Sequence, residues 1–195
     1  MFLRSIEKEE INLLPISHFD GEILLIDSLN DFHKVIHEIK SQQLLGFDTE
    51  TRPAFKKGVK NKLALLQLAT DEKAWLFRMN KIGLPDELVE VFEDQDIEKV
   101  GVAIRDDLVK LKELKLFIPG GFIELADYVK QFDILDNGLR KLAANILQIK
   151  ISKTQQLSNW EAENYTPSQR LYAATDAWAC YRMYELLQDT GYERN

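Results

Sequence analysis

The stretch LLGFDTET, residues 44–51, is the most informative part of the chain for its fold and its function. It opens with an apolar run and is followed by Arg52-Pro53, so it predicts a buried strand that ends in a turn. Side chains at i and i+2 of a strand share a face, which places Asp48 and Glu50 side by side. A carboxylate at the end of a buried strand is normally paired with a cation, exposed at a sheet edge or bound to a metal. One Asp at a strand end is usually solvated, but two acids at this spacing favour a site.

A second pair of polar residues lies far along the chain, in the stretch LYAATDAW. Tyr172 and Asp176 are four positions apart, and side chains at i and i+4 share a face in a helix. Thr166-Pro167 predicts the start of that helix, which runs to about Leu187. The alternative for the tyrosine is a core aromatic on an apolar helix face. Together with the carboxylates of the predicted strand, this pair favours metal-dependent phosphodiester chemistry.

The composition is that of one ordinary globular domain. The chain has 195 residues, of which 45% are hydrophobic and 29% charged, which excludes a disordered or membrane-embedded protein. No apolar stretch is long enough to cross a bilayer, and acidic residues at positions 7, 9 and 10 stand where a secretory signal needs its apolar core. The single cysteine, Cys180, forms no intramolecular disulfide. We therefore expect a cytoplasmic protein with no membrane contact.

The net charge of −7 argues against a broad basic face for nucleic acid. Local basic segments could still hold a strand, because divalent cations offset a carboxylate site. The lysine-rich run KKGVKNK, residues 56–62, directly follows the first acidic stretch and is a candidate for phosphate contact. A solvated loop is the alternative.

Apolar periodicity predicts alternating strands and helices. Strands are expected at residues 22–26, 44–48, 63–69, 74–77 and 97–102, and helices at residues 29–39, 85–93, 105–115, 139–147 and 167–187. The three middle strands are consecutive and predict a meander. The whole pattern predicts an α/β fold with a mixed sheet flanked by helices. We assign residues 22–190 to one domain and residues 1–21 to an N-terminal extension that either pads the sheet edge or mediates contacts.

A third acidic element occurs in VGVAIRDDLVKL, where a predicted strand passes into a helix. Asp at a helix start is a common cap, so this element alone means little. In this order, however, GFDTET, VGVAIRDDLVKL and LYAATDAWACYRMY resemble the three exonuclease motifs of the DEDD superfamily, tyrosine-containing branch. The intervening LRKL and SNW resemble, more narrowly, the exonuclease domain of the Werner syndrome helicase and its ribonuclease D-like relatives. The resemblance extends from about residue 22 to residue 187.

The resemblance implies a ribonuclease H-like (DnaQ-like) fold and a 3′-5′ exonuclease that releases nucleoside 5′-monophosphates. Its implied catalytic residues are Asp48, Glu50, Asp107, Tyr172 and Asp176.

The second motif departs from the pattern of many family members, which carry Asn and an aromatic residue where this chain has Ala103 and Asp106. We prefer Asp107 as the acid of this motif because of its distance from Gly101, with Asp106 as the alternative.

Phosphodiester hydrolysis needs an activated water, neutralisation of the phosphate and stabilisation of the leaving 3′ oxygen, and two divalent cations can supply all three. Carboxylates without Cys or His suit Mg²⁺ or Mn²⁺. We expect Asp48 to bridge both ions, Glu50 and Asp176 to complete one site, and Asp107 to hold the second ion. Tyr172 would orient the attacking water, because a tyrosine with an ordinary pKa near 10 is a poor base at neutral pH.

Residues beside the motifs are expected to contact nucleic acid, either a single strand or the 3′ end of a duplex. The candidates are Thr49, Thr51, Arg52, Lys57, Lys62 and Trp160. The tryptophan could stack on a base, and packing beneath the final helix is its alternative.

The substrate is left open between DNA, slightly favoured, and ribonuclease D-like trimming of RNA 3′ ends. A catalytically silent nucleic-acid-binding module on the same fold is the alternative from a different class. A protein partner that supplies substrate is possible for a nuclease domain of this size, and the sequence leaves the oligomeric state open.

Overall fold

Strand β2 (Leu44–Thr51) lies at the centre of a six-stranded sheet in the computed structural model, which describes residues 2–53 and 61–190. The sheet order is β1-β4-β3-β2-β5-β6. The other strands are β1 (Glu22–Ile26), β3 (Leu63–Ala69), β4 (Lys73–Arg78), β5 (Glu98–Gly101) and β6 (Phe122–Glu124). Strands β2, β3 and β4 form an antiparallel meander, whereas β1, β5 and β6 pair in parallel. The predicted mixed sheet is confirmed.

Helices cover both faces of this sheet. They are α1 (Lys8–Leu13), α2 (Leu29–Lys40), α3 (Met79–Ile82), α4 (Asp86–Glu93), α5 (Ile104–Leu114), α6 (Leu125–Tyr128), α7 (Leu139–Leu147) and α8 (Pro167–Asp189), with a 3₁₀ turn at Val129–Phe132. The predicted bounds of β1, β3 and α7 are confirmed, and β2 is three residues longer than predicted. A strand followed by a helix was expected after residue 115 without bounds, and β6 and α6 occupy these places. Helices α1 and α3 were not anticipated, because elements of four to six residues are too short to show a periodicity.

The two faces of β2 meet different helices, as the period of a strand requires. Phe47 packs edge to face on Phe92 of α4 and on Phe122 of β6. On the opposite face, Gly46 approaches α8 so closely that a Cβ atom there would lie 2.0 Å from the Ala177 carbonyl oxygen. The absence of a side chain therefore lets α8 rest directly on β2, next to its acidic residues.

The described part of the N-terminal extension packs on α7 and the loop before it. Asn145 accepts a hydrogen bond from the Leu3 backbone N–H (2.8 Å) and donates one to its carbonyl (2.6 Å). Asp136 accepts from the Ser5 hydroxyl and the Ile6 N–H. None of the described helices is both long and apolar enough for a membrane span.

The contact between β2 and α8 predicts a large effect of the substitution Gly46→Ala. The added methyl group would collide with backbone and push α8 away, so we expect a loss of about 2 kcal/mol or more in the free energy of unfolding. Urea denaturation measures this loss. The control is Gly138→Ser, because the Gly138 position has no atom near a Cβ and Ser is favoured at a helix N-cap. Equal stability of both variants would contradict this role of Gly46.

Candidate active site

A cluster of carboxylates forms where α8 crosses β2. Asp48 and Glu50 share the face of β2 that contacts α8, and Asp176 projects from that helix. One carboxylate oxygen from each of the three residues lies within 4.8 Å of the other two. The structure thus brings together the strand pair and the helix acid that the spacing patterns single out.

Burial and mutual repulsion shift the pKa values of this cluster upward. The pKa of Asp48 is well above its usual range, because of burial first and then the charges of Asp176, Glu50 and Asp107. Burial and the neighbouring acids raise the pKa of Glu50 to about 8. Burial raises the pKa of Asp176 to about 7, against the opposing effects of Tyr172 and Arg140. The cluster is therefore poorly able to carry its full negative charge without a cation.

Asp107 joins this group from the other side of β2. The Thr49 hydroxyl donates a hydrogen bond to Asp107 Oδ1 (2.6 Å), and Lys110 Nζ lies 3.5 Å from the same oxygen. Asp107 is buried, and burial raises its pKa against the lowering effect of Thr49 and Lys110. Asp106 is exposed and lines a separate pocket with Glu124. Of the two adjacent acids, Asp107 is the one that contacts β2 and whose charge contributes to the raised pKa values of Asp48 and Glu50.

Glu124 fixes the helix that carries Asp107, a role that sequence reasoning missed. The backbone N–H groups of Ala103 and Ile104 each donate a 2.9 Å hydrogen bond to its carboxylate. This carboxylate caps the start of α5, where Ala103 has a left-handed backbone (φ 62°) and no capping side chain. The capping partner is distant in sequence and sits at the end of the short strand β6, so no local pattern indicates it.

Tyr172 lies one helical turn before Asp176 and is buried. Burial and the charges of Asp176 and Glu50 raise the pKa of Tyr172 far above its ordinary value. Its hydroxyl is therefore neutral at physiological pH, able to donate a hydrogen bond and unsuited to abstract a proton.

The base-stacking role suggested for Trp160 is wrong, because its side chain is fully buried. The indole lies edge to face with Tyr165 at 5.5 Å and at a tilt to Tyr172 at 6.1 Å, so it packs beneath α8. Arg78 supports this layer: its guanidinium lies 4.5 Å above the Tyr165 ring and donates to the carbonyls of Ala162 and Glu163. The layer holds the catalytic candidate Tyr172 in place.

The other candidates for nucleic-acid contact lie at the end of β2 and beyond. Arg52 is exposed and forms a 3.3 Å ion pair with Glu161. Thr51 is partly buried at the last position of β2, and Lys62 is exposed just before β3. Lys57 and the rest of the run up to residue 60 lie outside the described residues.

Basic side chains that were not assigned a role line the pocket beside the carboxylates. This pocket has a volume of 390 Å³, and its lining includes Asp48, Glu50 and Asp176 together with Arg140, Lys141, Lys153 and Gln156. The LRKL stretch that begins α7 contributes two of these cations. Only the fold shows that this stretch faces the acidic cluster.

Comparison with known proteins identifies the family. A sequence model of the 3′-5′ exonuclease family matches residues 23–191. The chain is 31% identical to mouse bifunctional 3′-5′ exonuclease/ATP-dependent helicase WRN, over 91% of this chain and 13% of that protein. It is 32% identical to an Arabidopsis thaliana 3′-5′ exonuclease, over 90% of this chain and 66% of that protein. The chain thus spans less than two thirds of either relative.

Solved structures agree with this assignment at the level of the fold. The Aedes aegypti Nibbler EXO domain superposes with a TM-score of 0.76 at 21% identity, over 97% of this chain and 91% of that chain. Escherichia coli RNase D superposes with a TM-score of 0.76 at 19% identity, over 87% of this chain and 45% of that chain. The fold is therefore ribonuclease H-like, as expected. The chain belongs to the 3′-5′ exonuclease family of the DEDD superfamily.

The raised pKa values predict how the metal-free protein responds to pH. Between the ordinary pKa of Glu50, 4.5, and its folded value of about 8, the folded protein binds more protons than the unfolded chain. The free energy of unfolding contributed by this group therefore falls as the pH rises through that window. Urea denaturation in a chelator should show wild type losing stability relative to Glu50→Gln from about pH 5 to about pH 8. A difference that does not change with pH would contradict these shifts.

Proposed function

We propose that this protein is a metal-dependent 3′-5′ exonuclease that hydrolyses the last phosphodiester bond of a nucleic acid and releases a nucleoside 5′-monophosphate. We also propose that residues 22–190 form the exonuclease domain. The observation that carries the proposal is the convergence of Asp48, Glu50 and Asp176 from β2 and α8 to within 4.8 Å. Membership of the 3′-5′ exonuclease family supports it.

The donor set fits hard divalent cations such as Mg²⁺ or Mn²⁺, because it offers carboxylate oxygens and neither thiolate nor imidazole. Asp48, Glu50 and Asp176 would hold the metal, with Asp107 available for a second ion. Two bound cations would neutralise the phosphate and activate water for attack.

Tyr172 acts through its neutral hydroxyl. Its position one turn before Asp176 lets it donate a hydrogen bond at the edge of the carboxylate cluster, where it orients the attacking water. With this role for Tyr172, we assign the chain to the tyrosine-containing branch. The buried layer of Trp160 and Tyr165 keeps the ring in the orientation that the role requires.

The basic side of the pocket binds the substrate. Arg140, Lys141 and Lys153 line the same 390 Å³ pocket as the carboxylates, which suits a terminal nucleotide whose phosphates need cationic partners. Thr51, Arg52, Lys57 and Lys62 remain candidates for further contacts with the strand.

DNA is the first substrate that we propose, because the mouse relative is named as a bifunctional exonuclease and helicase. RNA is the second, because the E. coli structure is described as an exoribonuclease. The longer relatives also suggest a partner or neighbouring domain that supplies the strand. A silent binding module is disfavoured by a buried cluster of repelling carboxylates that serves no packing purpose.

Digestion of 5′-labelled single-stranded DNA, recessed duplex DNA and RNA tests the activity. With Mg²⁺ or Mn²⁺ we expect a ladder that shortens from the 3′ end. Asp48→Asn should abolish it, and Tyr172→Phe should slow it roughly 100-fold. Cleavage that survives Asp48→Asn would place the site elsewhere. Failure to cleave any substrate, together with calorimetry that detects no Mn²⁺ binding, would favour the silent module.

Asp106 and Asp107 are adjacent on α5, so matched Asn substitutions can show which of them is the acid of the second motif. Asp107→Asn should lower kcat by about 10- to 100-fold, because the charge of this acid acts on Asp48 and Glu50. Asp106→Asn removes the same charge from an exposed side chain and should change kcat less than about twofold. Steady-state rates at saturating Mn²⁺ measure both variants, with thermal melts as the folding control. The reverse order of effects would assign the motif to Asp106.

A further inference from the structure

A larger groove adjoins the active-site pocket. It has a volume of 630 Å³. One wall is formed by α1 and the residues that follow it up to Ile16, and the other by residues 150–154, which follow α7. Its cationic lining consists of Lys8, Arg140, Lys141, Lys150 and Lys153. We call this surface the basic groove. Three of its cations, Arg140, Lys141 and Lys153, also line the pocket that contains the carboxylates, so the two are continuous.

Acidic residues are absent from the described lining of the basic groove. The charge of Arg140 acts on the neighbouring carboxylate cluster, where it lowers the pKa of Asp176. Lys141 pairs with Asp136 at 3.2 Å, whereas Lys8, Lys150, Lys153 and Arg140 form no salt bridge with a carboxylate within residues 2–53 and 61–190. In a chain with 32 acidic and 25 basic residues, five cations on one surface form a local patch of opposite sign to the net charge.

The N-terminal wall of the basic groove is fixed to the rest of the domain. Ile16 and Lys150 form a parallel bridge, in which Lys150 N–H donates to the Pro15 carbonyl (2.9 Å) and Ser17 N–H to the Lys150 carbonyl (3.1 Å). Lys150 Nζ also donates to Asn12 Oδ1 of α1 (3.0 Å). The groove is therefore preformed, and binding would require little ordering of this wall.

Apolar side chains lie among the cations. Ile11, Ile16 and Ile151 line the basic groove; Ile16 is 71% exposed, Ile11 is partly exposed and Ile151 is buried. Exposed apolar surface beside cations suits a single-stranded nucleic acid, whose phosphates bind lysines and whose sugars and bases contact apolar groups. A strand with its 3′ end at the carboxylates would enter this groove directly.

We propose that the basic groove binds the single strand on the 5′ side of the terminal nucleotide, and that the N-terminal extension is part of the substrate-binding surface. This inference rests on the proposed exonuclease function. It assigns a role to Lys8 and Lys150, which line the groove and not the carboxylate pocket.

The double variant Lys8→Gln/Lys150→Gln tests the proposal on 5′-labelled oligothymidylates of about 20 and about three nucleotides. For the long strand we expect KM to rise roughly tenfold with unchanged kcat. The slope of log KM against log salt should become shallower by about 1.4, because two phosphate contacts are lost. The short strand should show unchanged kinetics. The matched control is Lys34→Gln/Lys40→Gln on α2, across the sheet, with the same change in net charge.

Equal effects on both lengths, or an effect on neither, would overturn the proposal. Fluorescence anisotropy supplies a second readout with the long strand and with a polyglutamate peptide of similar length. Tighter binding of the peptide would overturn the proposal in favour of an acidic protein segment. If wild type cleaves neither strand, the proposed exonuclease activity on DNA fails. Weaker strand binding by the double variant would then still support the groove, and unchanged binding would overturn it.

Discussion

Helix α8 can lie directly on strand β2 because small residues meet at their contact, and the rest of the site depends on this approach. Gly46 leaves room for the Ala177 backbone, where a Cβ would lie only 2.0 Å from the carbonyl oxygen. The alanines at positions 173, 174 and 177 are fully buried in the same layer. This close contact carries Asp176 to the side chains of Asp48 and Glu50, which a bulkier interface would hold apart.

The carboxylate cluster lowers the stability of the folded protein. Carboxylates brought together and partly desolvated repel one another, and their raised pKa values express that cost. Packing elsewhere, including the Trp160 and Tyr165 layer held by Arg78, keeps the arrangement in place. A divalent cation would relieve the repulsion, so its binding would also stabilise the folded protein.

Local spacing predicted much of this structure, and contacts between distant segments account for what it missed. The i and i+2 acids of β2 and the i and i+4 pair of α8 follow from secondary-structure geometry, as do the bounds of β1, β3 and α7. Glu124 caps α5 from the end of a three-residue strand, which is too short to produce a periodic pattern in the sequence. The burial of Trp160 is a tertiary outcome, because an aromatic residue in a loop can equally pack or face solvent.

The basic groove also could not be predicted from local sequence patterns. Lys8 and Lys150 are far apart in the sequence but line one groove, because Lys150 contacts Ile16 and Asn12 of the N-terminal segment. A net charge of −7 conceals such a patch, because charge summed over the chain says nothing about how it is distributed.

We propose that the carboxylates of β2 and α8 form a divalent cation site. Anomalous diffraction from crystals soaked in Mn²⁺ tests it most directly, because the signal locates the metal without reference to activity. We predict an anomalous peak within coordination distance of Asp48, Glu50 and Asp176. A map with no peak at this cluster, or with its strongest peak elsewhere on the protein, would contradict the claim.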